Sequence, residues 1–184
     1  MEFDYETAYG AFHKSKPKLF GGFSLIQYLD EIAEIVARHS PESLLDYGSG
    51  KGYQYLEGRA HEHWGGLLPY CYDIGVPQLK RKPQQKFDGV ICTDMMEHIH
   101  KSDIDAILND IFSSTTNSKK SFVFLGISCR PARKSFNNGD IKGLNVHLTV
   151  ESPEWWEARL TRFLSDRCYL ATPCLSFEKE DTGL

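Results

Sequence analysis

The sequence predicts an α/β domain built on a mostly parallel sheet. Short apolar runs alternate with segments of helical periodicity, and a glycine-rich turn joins the first run to the segment after it. At 184 residues the chain is the length of one domain and buries enough surface to fold without a disulfide or metal staple. Twenty-one Lys and Arg against 25 Asp and Glu give a formal charge of −4, which argues against bulk electrostatic binding of nucleic acid. An apolar content of 41% and a charged content of 25% exclude disorder, collagen and coiled coil.

The elements follow in order. Leu25, Ile26, Leu29, Ile32, Ala33 and Val36 recur at helical spacing and stop at Ser40-Pro41. Residues 43–47, Ser-Leu-Leu-Asp-Tyr, read as a short buried strand that runs into Gly48-Ser49-Gly50-Lys51-Gly52, with a helix over 53–60. Residues 67–72 form a second strand closing on Asp73, and 87–93 a third. A helix begins at Ser102 with Asp105 placed as a capping box, carrying Ile104, Ile107, Leu108, Ile111 and Phe112 on one face. Residues 121–128 are a fourth strand, and 130–145 are polar and rich in Gly, Pro and Asn, the composition of a loop over a binding face. Ser152 and Pro153 start a helix as N-cap and first residue, with Trp156, Leu160, Phe163 and Leu164 facing the core. Residues 169–177 supply one or two closing strands around Pro173.

Five widely spaced cysteines (Cys71, Cys92, Cys129, Cys168, Cys174) include no CxxC pair, so neither a zinc knuckle nor a disulfide framework is expected. The first residues have no basic start followed by an apolar stretch, and no run reaches membrane-spanning length. The expectation is a cytoplasmic protein with no membrane partner.

The glycine turn is the informative segment. Alone, Gly-x-Gly-x-Gly is weak evidence, but Asp46 stands two residues before its first glycine. A dinucleotide loop directs helix-terminal N–H groups at a pyrophosphate, which a carboxylate would repel. Asp46 instead suits a ligand with a cationic amino-acid end. The Walker pattern also fails, because Lys51 is followed by Gly52 rather than Ser or Thr.

With these residues in view, the chain resembles the class I S-adenosylmethionine-dependent methyltransferases. Asp46-x-Gly48-x-Gly50-x-Gly52 matches their first motif, and Asp73 matches the acid that holds the ribose hydroxyls. Phe87-Asp88-Gly89-Val90-Ile91, with Asp94-Met95-Met96-Glu97-His98-Ile99, resembles their fourth-strand motif and its exit loop. The resemblance covers about residues 43–164 and rests on three motifs in order. It implies a single Rossmann-like domain over 1–184, with 1–40 covering the cofactor site and 41–184 forming the α/β core. It implies S-adenosyl-L-methionine as cofactor, held by Asp46, Gly48, Gly50, Gly52, Asp73, Ile74 and Asp94, with Ile74 against the adenine. One departure stands out. Between Asp73 and Phe87 the family fits a helix, a strand and an acidic adenine contact, whereas this stretch is short and broken by Pro77 and Pro83. The sheet edge is therefore expected to be shortened, with the adenine gripped from elsewhere and residues 5–20 folding over the cofactor.

Methyl transfer needs in-line placement of an acceptor and often a base. His98, Glu97 and His147 are the candidate catalytic residues, His98 reading equally as a general base or as a histidine packed under the next helix. Asp94-x-x-Glu97-His98 with His147 further resembles the divalent-metal site of two groups, the small-RNA 3′-terminal 2′-O-methyltransferases and the ubiquinone-pathway O-methyltransferases. That resemblance implies Asp94, Glu97, His98 and His147 as metal ligands that lower the pKa of an acceptor hydroxyl. Asp94 stands where those groups carry Glu, and its reach is one methylene shorter.

His61-Glu62-His63 and His98-x-His100 read as solvated turns. Trp155 and Trp156 offer one core residue between them. Lys14, Lys16 and Lys18, then Arg81, Lys82 and Lys86, then Arg130, Arg133 and Lys134 are short basic stretches, of which the last two could meet at the cofactor mouth around an anionic acceptor. The expected activity is methyl transfer to an oxygen or nitrogen of a small or modest-sized acceptor. The alternatives are an RNA ribose 2′-O-methyltransferase using a divalent metal and an inactive scaffold of the same fold. The Asn/Asp-Pro-Pro-Tyr/Phe motif of base amino methylation is not present.

Overall fold

Residues 44–47 are apolar or polar by turns yet buried at every position, the mark of a strand covered on both faces. In the computed structural model, which describes residues 3–15, 21–136 and 139–178, this run is an inner strand of a five-stranded sheet, next to one edge. The strands are β1 (Leu44–Tyr47), β2 (Tyr70–Tyr72), β3 (Gly89–Thr93), β4 (Phe122–Ile127) and β5 (Thr172–Phe177). Their order is β2-β1-β3-β4-β5 and every pairing is parallel. The expected Rossmann-like α/β class is therefore the observed one. The chain reverses its direction of sheet growth at β1, so the C-terminal ends of β1 and β3 flank the crevice where doubly wound sheets bind ligands.

The helices are α1 (Tyr5–Ser15), α2 (Leu29–His39), α3 (Tyr53–Leu56), α4 (Ile104–Ser113) and α5 (Pro153–Ser165). Strand alternation divides the core. Leu44, Ile91, Phe122 and Phe124 pack against Tyr28, Ile32 and Val36 around α2. Leu45, Val90, Cys92, Val123 and Leu125 face Ile104, Leu108 and Phe112 of α4 and Trp156, Leu160 and Phe163 of α5. Ser152 caps α5 as expected, its side chain accepting from the Trp155 N–H.

Several boundaries differ from the sequence reading. The first amphipathic segment opens with a 3-10 helix, Phe23–Tyr28, before α2. The helix after the glycine turn is a single turn, because Gly58 and the left-handed Arg59 interrupt it. Strand β2 starts three residues late, after Pro69. Helix α4 starts at Ile104 rather than Ser102, with no side-chain cap; Asp105 pairs with Arg159 of α5 at 2.8 Å instead of reaching back. Pro173 lies within a single edge strand, where its missing N–H costs no ladder bond to an outer neighbour.

The shortened edge is present. Between β2 and β3 the chain forms neither helix nor strand and closes a tight turn, with the Asp73 N–H donating to the Leu79 carbonyl at 3.1 Å. That leaves β2 as a three-residue edge strand, and on the α4 side of β1 and β2 the buried Tyr47 and Tyr72 rings meet edge to face at 5.1 Å.

Candidate functional site

The glycine turn needs its glycines. Gly48, Gly50 and Gly52 have φ of 80°, 58° and 72°, a region closed to most side chains. Their backbone is tied across the sheet: Gly48 N and Ser49 N donate to the Tyr72 carbonyl at 2.8 and 3.1 Å. Asp73 completes the tie, accepting from Gly50 N through Oδ2 and from Gly75 N through Oδ1, both at 2.8 Å. Burial pushes the Asp73 carboxyl up to about 6, against the pull of these N–H donors.

Asp46 is buried beneath the turn and stands outside the cavity lining. Its Oδ2 accepts from Gln54 Nε2 and Tyr55 Oη, each at 2.8 Å, while Oδ1 has no hydrogen-bond partner. Burial raises this carboxyl to about 6, with the two donors opposing. Asp46 thus anchors α3 from below, and Gln54 carries the link into the cavity wall. Gly22, φ 95°, fits against Gln54 so closely that a Cβ would lie 1.9 Å from its Oε1.

At the end of β3, Asp94 takes a left-handed φ of 53°, strain of the kind that gathers at functional positions. Ser24 Oγ donates to Asp94 Oδ2 at 2.7 Å. Asp94, His98 and His147 each bring one donor atom within 4.8 Å of the others, and the two rings meet edge to face at 4.8 Å. His98 Nδ1 lies 2.8 Å from the Val146 carbonyl and His147 Nδ1 lies 2.6 Å from the Arg130 carbonyl. A carbonyl only accepts, so both Nδ1 atoms carry hydrogen and both lone pairs reside on Nε2. This second-sphere pattern is the one that orients metal-binding imidazoles. Burial lowers His98 to about 4, keeping the ring neutral, the form that can ligate.

Glu97 is fully buried and is not part of that converging trio. Its Oε1 accepts from Ser128 N at 2.9 Å. Burial first, and then the neighbouring Asp94 carboxylate, push Glu97 well above the usual carboxylate range. Burial would raise Asp94 as well, but His98, Glu97 and Ser24 outweigh it and hold Asp94 below its ordinary value. Of these two neighbouring acids Glu97 is therefore the one that favours its proton and Asp94 the one that favours its charge. Glu97 lies outside the trio, and its Oε2 makes no hydrogen bond.

These groups surround one cavity of about 280 Å³ at the C-terminal ends of β1, β2 and β3. Gly48, Gly50, Asp73, Ile74, Asp94 and His98 line it, whereas Asp46, Gly52, Glu97 and His147 stand outside the lining. The wall also holds residues the sequence reading missed: Tyr5, Tyr9 and His13, one helical face of α1, with Ser24, Tyr47 and Asp110. Tyr9 Oη lies 2.9 Å from the Val146 carbonyl and 3.1 Å from that of His98; Tyr5 Oη donates to Asp103 at 2.7 Å. His13 Nε2 lies 3.8 Å from Asp73 Oδ1. No local pattern marks these residues, because contacts 60 to 137 positions away in the chain give them their place. Residues 16–20 of the segment expected to cover the site lie outside the described residues, as do Asn137 and Asn138 of the 130–145 loop.

Of the basic stretches, Lys82 pairs with Asp110, Lys86 donates to the Ser113 carbonyl, and Arg130 pairs with Glu178 at 2.9 Å. Lys16 and Lys18 lie outside the described residues. Trp156 is the core member of the tryptophan pair, and Glu62 in the 61–63 turn pairs with Arg59. Among the described residues, no helix is long and apolar enough to cross a membrane.

No family model matches the sequence, and no curated protein matches it. Among solved structures the chain is similar to one described as "DhpI-SAH complex structure", at 16% identity and a TM-score of 0.45, over 85% of this chain and 84% of that one.

Proposed function

We propose that this protein is an S-adenosylmethionine-dependent methyltransferase acting on an oxygen or nitrogen of a small or modest-sized acceptor. The observation that carries the reading is the meeting of the three motifs at one cavity: the left-handed glycine turn, Asp73 and the Asp94–His98 segment. The bound cofactor supplies an electrophilic methyl group on a sulfonium. The turn offers close backbone approach for its amino-acid tail, Asp73 offers a carboxylate for ribose hydroxyls, and Ile74 an apolar wall. Asp46 places a negative charge under the turn, which favours the cationic amino group from behind.

Asp94, His98 and His147 fit a divalent ion, one carboxylate with two imidazoles whose Nδ1 atoms are already committed to carbonyls. An ion held there supplies Lewis acidity that lowers the pKa of an acceptor hydroxyl. This favours an oxygen acceptor, whether a small molecule or a ribose 2′-hydroxyl. Glu97 beside Asp94 favours its proton and leaves Asp94 the charged member of the pair, and Tyr5, Tyr9 and His13 of α1 form part of the cavity wall.

Isothermal titration calorimetry tests both parts. S-adenosylhomocysteine is expected to bind the wild type, and Gly50→Arg, which forces a side chain onto a left-handed turn, is expected to abolish binding. No heat with the wild type at high micromolar ligand counts decisively against the cofactor reading. Magnesium, manganese or zinc is expected to bind the wild type and to bind His147→Ala at least tenfold more weakly. Absence of metal binding, with methyl transfer intact in chelator, removes the ion from the reading. A scaffold would keep its partner after Gly50→Arg, whereas an enzyme loses its activity.

A further inference from the structure

The carboxylates in the cavity lining are Asp73, Asp94 and Asp110. Asp73 is engaged by Gly50 and Gly75, and Asp94 by Ser24 beside the histidines. Asp110, on the cavity face of α4, belongs to neither group. Its Oδ2 accepts from Tyr47 Oη at 2.6 Å and its Oδ1 pairs with Lys82. Tyr47 and Tyr72 present their rings beside it, and Ile107 lines the wall one helical turn earlier. Tyr72 and Tyr47 end β2 and β1, whereas Asp94 follows β3, so this pocket opens on the other side of the glycine turn from the histidines. It lies on the α4 face of β1 and β2, beside the stretch between β2 and β3 that forms neither helix nor strand. In residues 74–88 the sole acid is Asp88, and its carboxylate is taken by Glu42 N, Ser43 and Thr116.

Resting on the cofactor reading above, we propose that Asp110 is the specificity-determining residue for the purine of the cofactor. With the amino-acid tail along the glycine turn and the ribose at Asp73, the base enters the slot between Tyr47, Tyr72, Ile74 and Ile107. The Asp110 carboxylate there accepts a hydrogen from the exocyclic N6 amine of adenine. Asp110 pairs with Lys82 through its carboxylate, and a carboxylate only accepts. Each oxygen has two lone-pair directions and one protein donor, so capacity remains for a base. A 6-oxo purine would place an acceptor against an acceptor and be refused.

Competition between S-adenosyl-L-homocysteine and S-inosyl-L-homocysteine, measured by calorimetry, tests this. The wild type is expected to prefer the adenosyl compound by about tenfold or more, the scale of a hydrogen bond to a charged group. Asp110→Asn, whose amide can donate to a 6-oxo group, is expected to bring the ratio to within about threefold of one, mainly by weakening the adenosyl compound. Equal wild-type affinities overturn the proposal, as does an unchanged ratio in Asp110→Asn. The wild-type comparison decides even where the variant does not fold, which its unliganded thermal melt reports. Failure of both compounds to bind the wild type overturns the cofactor reading and this inference together, an outcome distinct from binding without discrimination.

Discussion

At the residue scale, burial decides charge. Asp46 accepts two good hydrogen bonds and still has its carboxyl raised to about 6, because desolvation outweighs them. A carboxyl raised in the native state contributes stability that is fully present below its unfolded value and is lost as pH rises through about 6. In Asp46→Asn the amide oxygen can keep both donors, and its NH2 falls where Oδ1 has no partner. The stability of the wild type minus that of Asp46→Asn should therefore fall by on the order of 3 kcal/mol between pH 4 and 7.5. Urea denaturation of both proteins across that range checks it. A pH-independent difference would mean that Asp46 titrates as an exposed carboxyl does. The same logic explains the opposite states of Asp94 and Glu97: two acids share one buried place, so one keeps its proton.

At the scale of elements, α1 matters most for the site: residues 5–20 were expected over the cofactor, but which of their side chains line the cavity was not legible. Its sequence has little amphipathic contrast, and its value lies in where Tyr5, Tyr9 and His13 land. Tyr9 touches the carbonyls of both His98 and Val146, and Val146 O in turn fixes His98 Nδ1. Tyr9→Phe should loosen α1 by about 1–2 kcal/mol, the cost of leaving buried carbonyls short of a donor. Hydrogen exchange should then show faster amides from Tyr9 to His13 with α2 unchanged, because docking rather than helix propensity holds α1. Unaltered α1 protection would show that the Tyr9 hydroxyl carries no part of the docking. The glycine turn contrasts with α1, since its chemistry was visible locally: only glycines accept three left-handed positions in five residues.

For the whole molecule, the sheet ends that create the cavity also couple binding to stability. A ligand that binds the folded state alone, at about one hundred times its Kd, stabilises by about 2.7 kcal/mol. For a chain of this size that corresponds to a rise in Tm of roughly 5–10 °C with S-adenosylhomocysteine. Differential scanning fluorimetry should show the rise in the wild type and none in Gly50→Arg, whereas a rise in both would place the ligand elsewhere.

Alternating apolar runs and the ordered motifs were enough to determine the α/β class, the parallel sheet, the glycine turn and the shortened edge. Each depends on local spacing, and Pro77 and Pro83 alone exclude a helix plus a strand in so short a stretch. Asp94, His98 and His147 were legible as candidates, but a spacing of 49 residues between the histidines says nothing of distance. The tertiary structure decided that these three converge without Glu97, that Asp46 faces Gln54 and Tyr55, and which side chains of α1, Tyr5, Tyr9 and His13, line the cavity. It also brought Asp110 of α4 to Tyr47 of β1, 63 positions apart, for which no sequence pattern exists. The physical reason is common to all of these. Burial and orientation are properties of packed neighbours, and those neighbours are supplied by distant parts of the chain.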